Sequence, residues 1–290
     1  IDEINPGVYA VDAAFLRSAL AKLGTDNAQG ELYLTDIVAI ARSSSSAVPT
    51  FEVSAAETLG VNDRVQLSDA NAVLRARVIK NAMLNGVTFI APASAVVDAT
   101  VTFATDVVVG PHAVLTGATT IGEGAHIGAG AVVHDTVVEA NAVVHPYSVC
   151  DSARIGVRAS AGPFARLRPG AVLEEGSHVG NFVELKKARL GRGAKANHLA
   201  YLGDADIGAG SNIGAGTITC NYDGINKHTT TIGDDVFIGS NSTLVAPVTI
   251  GKGAYVGAGS VITDAVPPDA LALGRGKQVN KEGRAVLIKQ

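Results

Sequence analysis

An aliphatic residue recurs at every sixth position through much of this chain, at Val109, Leu115, Ile121 and Ile127, and again at Ile232, Ile238, Leu244, Ile250 and Val256. So regular a period fixes the architecture before any polar residue is considered. The intervening segments share one form, as in Ile121-Gly122-Glu123-Gly124-Ala125-His126, with Ala, Ser or Thr favoured in slot five and Gly or Asp in slots two to four. In extended chain, residues two apart face the same side, so slot five and the next slot one both point inward. Gly and Asp suit the tight turn between them. Three hexads therefore close one triangular coil of about eighteen residues, with strands of successive coils stacked in parallel about 4.8 Å apart. The reading is a mainly β chain, a parallel β-helix of roughly nine coils from Val97 to Ile262. Shortened hexads are expected at 185–189 and 202–206, and Thr219 to Thr231 must leave the coil as a loop.

Composition agrees with thin packed layers. Of 290 residues, 47% are hydrophobic and 33 are Gly, yet only 4% are aromatic and none is Trp. A formal charge of -4 gives no general attraction to nucleic acid or to an anionic membrane. No apolar run reaches the span of a membrane helix, and the N-terminus lacks a charged start followed by an apolar core. Cys150 and Cys220 are far apart and form no CxxC pair, so they read as reduced thiols in a cytoplasmic protein.

The first 85 residues lack the six-residue period and read as a separate domain, with 86–290 forming the β-helix and a C-terminal tail. Phe15, Leu16, Ala19, Leu20 and Leu23 have helical spacing within Asp12 to Leu23, which Gly24 ends. Further helices are expected over Leu32 to Arg42 and Leu67 to Leu84, the last leading into the β-helix. No Gly-rich phosphate loop accompanies them.

Polar chemistry gathers between Arg166 and Lys227. Arg168 and Lys186 both take slot two, one coil apart, so they should stack. Two stacked cations either share an anion such as a phosphate or carboxylate, or are screened by water and by Glu174 and Glu175. His198 is the best placed proton acceptor near neutral pH, with Glu184 and Tyr201 in equivalent slots of adjacent coils. A purely structural His198 is the plain alternative. The other six His residues lack the spacing of a metal site.

Three strings carry a family resemblance: Gly162-Pro163-Phe164-Ala165-Arg166-Leu167-Arg168-Pro169-Gly170, Gly180-Asn181-Phe182-Val183-Glu184-Leu185-Lys186-Lys187, and Asn212 through Gly224 with its Thr219-Cys220-Asn221-Tyr222-Asp223 core. They resemble the bacterial bifunctional family that joins glucosamine-1-phosphate acetyltransferase to N-acetylglucosamine-1-phosphate uridyltransferase. Asn27 to Asp36 and Gly60 to Arg64 resemble the last third of that family's uridyltransferase domain, making residues 1–85 an incomplete α/β, Rossmann-like segment. The family's Gly-rich nucleotide loop and nearby acidic magnesium ligand have no counterpart, so uridyl transfer is expected to be absent.

The resemblance implies a left-handed β-helix, acetyl-CoA as donor, and a homotrimer with sites built between subunits. It makes His198 the general base, Glu184 its orienting partner, and Asn221 the group that positions the amine or the oxyanion. Arg168, Lys186, Tyr201, Asn212 and Lys227 would grip the sugar phosphate. Ala215, Tyr222, Ser240, Ala258 and Arg275 would contact acetyl-CoA. Asn5 and Asn62 match sugar-nucleotide contacts, and Asn62 also a magnesium contact used only in a complete uridyltransferase domain. Asn197 and Ala200 depart from the family's usual Gly and Thr beside His198, and the flanks of Arg275 also differ. A non-catalytic β-helix scaffold is the competing expectation, and a metal hydratase on the same fold is a weaker one.

Overall fold

The computed structural model describes residues 4–282 and Arg284. Strands of two to four residues alternate with turns, and every third strand pairs in parallel with the next. Three sheets result, of eleven, ten and nine strands among the described residues. This is the parallel β-helix that the hexads predict. The core follows the slots: Leu115, Val133, Cys150, Leu167, Leu185 and Leu202 lie in register from coil to coil of the ten-stranded sheet, each fully buried. Slot-five residues Ala113, Ala131, Ser148, Ala165, Val183 and Ala200 are buried beside them. Most layers thus hold a few aliphatic side chains, with Phe89 and Phe103 the aromatics at the first coils, which accounts for the composition. Burial pushes the Cys150 thiol up to about 12, so it packs as an inert hydrophobe.

Four hexads, not two, are short by one residue. Val133 to Val138, Cys150 to Ile155, Leu185 to Leu190 and Leu202 to Ile207 are each five residues apart, and all four turn the same corner, between the ten- and nine-stranded sheets. Asp135, Ser152, Lys187 and Asp204 make these tight turns with φ of 44 to 48°. At the next coil this corner is extended instead. The chain leaves after the strand Ile218–Cys220 and re-enters at Thr230–Ile232, so the predicted loop is an arm on the corner beside Asp204.

The first two helices are shorter than their hydrophobic periods, and the third starts three residues earlier than expected. Helix α1 is Ala13–Leu20, capped by Asp12, whose carboxylate accepts the Phe15 N–H at 2.8 Å. It stops early because the Lys22 N–H turns back to the Ala19 carbonyl, closing a tighter turn. Helix α2 is Asp36–Ser43 and α3 is Arg64–Leu84. Contacts divide the chain into two compact units, 1–74 and 75–290, eleven residues before the expected boundary. The reason is that Ile79 is buried in the β-helix core with Val87 and Phe89, and Val78 and Ala82 pack on it. The C-terminal part of α3 therefore closes the end of the prism. The first unit holds helices and turns but no strand among the described residues, in place of the α/β segment expected, since a strand needs a paired neighbour for its backbone groups.

Candidate active site

The outward side chains of the ten-stranded sheet build a charged cluster. Arg168 and Lys186 stack on neighbouring coils, as their slots predict: Arg166 is in register with Glu184 and Leu167 with Leu185. Their repulsion is relieved by two carboxylates. Arg168 Nη1 donates to Glu184 Oε1 at 2.8 Å, while Lys186 Nζ lies 3.6 Å from Asp204 Oδ2. The neutralising groups are therefore Glu184 and Asp204, not the Glu174 and Glu175 of the sequence reading. Glu174 lies instead near Arg154, and Glu175 pairs with Arg158.

Asp204 has a second task. It accepts a hydrogen bond from Asn221 Nδ2 and so fastens the root of the arm to the coil. Between them lies Gly203, in register with Lys186. A Cβ on Gly203 would fall 2.5 Å from Tyr201 Oη and 2.7 Å from Asn221 Nδ2, so the missing side chain is what lets phenol and amide meet there. Gly203→Ala is expected to displace these two tips while leaving the backbone in place, raising KM for a bound substrate several-fold with little change in the unfolding midpoint. Steady-state kinetics beside thermal denaturation would check it.

The arm brings a third cation. Tyr222 and Lys227 face each other in an antiparallel bridge, with the Lys227 ammonium 5.5 Å from the Tyr222 ring centre. Asp223 pins the turn between them, accepting from the Ile225 and Asn226 N–H groups and contacting His228 Nε2 at 2.7 Å. His228 first, then the two backbone donors, hold the Asp223 carboxyl at about 2. Lys227 is pulled below the ordinary lysine range, first by the Lys186 amine that faces it, through close approach and charge, and further by the charge of Arg168. Lys186 moves the other way, raised by the facing Lys227 amine and by Asp204. A cluster in which one ammonium is pressed to give up its proton is poised for an incoming anion.

His198 sits at the end of the strand Lys195–His198 in the eleven-stranded sheet, and Leu199, with φ 49°, turns the chain so that Tyr201 opens the neighbouring sheet. The imidazole does not meet Glu184. That carboxylate is taken by Arg168, and the group touching His198 Nδ1 is Asn181 Oδ1, at 2.8 Å. Within one chain, then, Glu184 makes no direct hydrogen bond to His198 among the described residues. Glu184 steers the guanidinium and raises its basicity further, while the imidazole is steered from the coil before it.

One feature of this corner was missed in the sequence. Tyr147, Phe164 and Phe182 stack with ring centres 5.4 and 5.5 Å apart, and Leu199 follows on the next coil. All four have left-handed φ of 49 to 59° and all are exposed, between 48 and 62%. Turn slots elsewhere carry Gly or polar residues such as Asp, Asn, Ser, His, Lys and Arg, so large apolar residues there were the available signal.

Residues 229–264 match the family described as bacterial transferase hexapeptide (six repeats). Over 289 residues, the whole of this chain, the sequence is 53% identical to the bifunctional protein GlmU of Sorangium cellulosum strain So ce56, covering 61% of that protein. It is 56% identical over 283 residues to the bifunctional protein GlmU of Anaeromyxobacter sp. strain Fw109-5, covering 98% of this chain and 58% of the relative. This is a GlmU-like sequence. A solved UDP-N-acetylglucosamine acyltransferase of Francisella novicida is 17% identical with a TM-score of 0.43, covering 62% of this chain and 65% of that one, an overlap too partial to bear on the reading. The GlmU-like chain spans about three-fifths of the length of these curated relatives.

The remaining residues named from the resemblance fall elsewhere on the GlmU-like chain. Asn212 is in the eleven-stranded sheet beside Phe237, not in the cation cluster. Ala215, Ser240 and Ala258 follow one another at a corner of successive coils, linked by N–H to carbonyl bonds from Asn241 to Ala215 and from Gly259 to Ser240. Arg275 Nη1 donates to the Ala258 carbonyl at 2.8 Å, which places a cation at the end of this column. Tyr222 is exposed on the arm. Asn5 and Asn62 lie in the first unit: Asn5 contacts Tyr9 and the Gly7 N–H, and the Asn62 N–H donates to Gln66. Magnesium prefers a near-octahedral set of oxygens including carboxylates. Asn62 offers one neutral amide, and no group of three His, Cys, Asp or Glu among the described residues could hold a metal ion. No helix among the described residues is long and apolar enough to cross a membrane.

Proposed function

We propose that the GlmU-like chain transfers the acetyl group of acetyl-CoA to the C2 amine of glucosamine 1-phosphate, giving N-acetylglucosamine 1-phosphate and free CoA, a step toward UDP-N-acetylglucosamine. The observation that carries the reading is the convergence of Arg168, Lys186 and Lys227 on the sheet that Tyr201 enters three residues after His198, a histidine whose Nε2 makes no hydrogen bond among the described residues.

A sugar phosphate suits this cluster. Its dianion replaces the Lys186–Lys227 contact with three charge-assisted bonds, and Tyr201 offers a hydroxyl beside them. His198 Nε2 takes a proton from the C2 amine, the nitrogen attacks the thioester carbonyl carbon, and the carbon–sulfur bond breaks. The departing thiolate then receives the proton from the imidazolium, so the ring finishes neutral. Asn221 is held by Asp204 at the edge of the cluster, where its amide positions the amine or faces the oxyanion. Acetyl-CoA lies along Ala215, Ser240 and Ala258, where small side chains leave room for an extended thioester arm, with Arg275 and Tyr222 as contacts. A guanidinium suits the CoA phosphates.

One copy splits this machinery between two faces of a prism, the cations on one sheet and Asn212 with the donor column on another. A homotrimer with sites between subunits unites them. The exposed stack of Tyr147, Phe164, Phe182 and Leu199, beside His198, is the apolar seam such an assembly needs. Light scattering should give the mass of three 29.4 kDa chains. An acetylating monomer would contradict this.

Lys227 sets a pH dependence. Its charge is present at low pH and lost as pH rises through a value below the ordinary lysine range. KM for the sugar phosphate should therefore climb with pH before an ordinary lysine, near pKa of about 10.4, would titrate. Lys227→Arg, charged throughout, should flatten that limb. Acceptor-dependent thiol release from acetyl-CoA separates the enzyme from a scaffold, because a scaffold releases none.

A further inference from the structure

We infer that Asn181 is a positioning residue that sets the tautomer of His198. The inference rests on the reading of His198 as the base. Asn181 and His198 are in register at the ends of two paired four-residue strands, and the Asn181 carbonyl also accepts the Leu199 N–H at 3.1 Å. One residue thereby holds both the imidazole and the turn that follows it. The side-chain contact, Oδ1 to Nδ1 at 2.8 Å, has a directional consequence. A carbonyl oxygen only accepts, so Nδ1 carries the proton and the lone pair is left on Nε2, away from the coil. With the amide reversed, its N–H₂ would donate to Nδ1, Nε2 would carry the hydrogen, and no lone pair would face a substrate.

The other groups around the ring do not supply this control. His178, on the same strand as Asn181, bonds Ser160 Oγ at 2.6 Å through its own Nδ1. Burial first, then His145, Lys195 and His198, keep it from protonating readily. Glu184 is held by Arg168 and Asp204 by Lys186 and Asn221. Asn181 is therefore the hydrogen-bond partner of the imidazole, and being neutral it fixes the proton without stabilising the imidazolium as a carboxylate would. That keeps the ring a ready base and lets the thiolate recover the proton at the end of the cycle.

The test uses the full chain labelled with ¹⁵N in histidine, with His198→Ala assigning the His198 signals. The wild type is expected to show a pyrrole-like Nδ1 and a pyridine-like Nε2 for His198. Asn181→Ala should give a mixed tautomer and lower kcat about tenfold or more, with KM for both substrates within about twofold. Asn181→Asp should restore the single tautomer and most of kcat, and move the acid limb of the kcat profile to higher pH, since a carboxylate favours the charged ring. The inference is overturned if Asn181→Ala keeps one tautomer, if it loses the tautomer yet retains kcat, or if a folded Asn181→Asp is no better than Asn181→Ala. The spectrum reads the ring without turnover, so the two readings fail separately. Full turnover in His198→Ala would remove the base while the tautomer result stood.

Discussion

Replacing His198 by Ala is expected to lower kcat for acetyl transfer by about 10²- to 10⁴-fold, or about 3–5 kcal/mol of barrier, the usual loss on removing a general base. KM for the sugar phosphate should hardly move, because Arg168, Lys186 and Lys227 are untouched and take their geometry from Glu184, Asp204 and the arm. The fold should survive as well: His198 is exposed, and its one side-chain hydrogen bond is to Asn181. The loss should shrink at alkaline pH, where more of the amine arrives already deprotonated. Steady-state kinetics across pH, with circular dichroism as the control for folding, checks all three points. Loss of kcat and KM together would instead mark His198 as a structural residue.

The second large effect is on stability. Leu202→Ala should cost about 2–5 kcal/mol, because it removes a fully buried slot-one side chain from a layer with few others to fill the space. Leu185 and Thr219 lie above and below it, both fully buried, and neither side chain is long enough to close the gap. In a solenoid each coil contacts its immediate neighbours, so the opening should be local. Hydrogen exchange should speed up in the strands Glu184–Lys186, Tyr201–Gly203 and Ile218–Cys220, with little change near Val97 or Val256. Because these strands carry Lys186, Tyr201 and the root of the arm, activity should fall in parallel. Uniform acceleration along the whole prism would mean that it unfolds as one unit.

Most of the prism was legible because its rule is local: an aliphatic residue every sixth position and a small one before it place Leu167, Leu185 and Leu202 in one column without knowledge of any distant contact. Of the two further short corners, Val133 to Val138 is hidden because Val132-Val133 and Val137-Val138 each supply two candidates for slot one, and Cys150 to Ile155 because it starts on a residue that is not aliphatic. Stacking of Arg168 on Lys186 follows from the same count. Their partners do not. Asp204 and Glu184 lie a coil away, and which carboxylate turns to which cation depends on side-chain rotamers the period does not encode. The same holds for Asn181. Its bond to His198 spans seventeen residues, and nothing in the string Gly180-Asn181-Phe182 announces it. The boundary of the first unit was misplaced for a different reason: Ile79 reads as one more apolar helical residue, and only packing shows that it belongs to the core of the β-helix.

The most direct measurement follows the atoms. Acetyl-CoA carrying ¹³C at the acetyl carbonyl is mixed with this chain and ¹⁵N-labelled glucosamine 1-phosphate, and the product is observed by NMR as free thiol accumulates. A one-bond ¹³C–¹⁵N coupling should grow in step with the thiol, and glucosamine without the phosphate should give almost none. Label that remains on CoA, appears as acetate, or reaches the sugar without coupling to nitrogen would contradict the assignment of this site to acetyl transfer onto the amine.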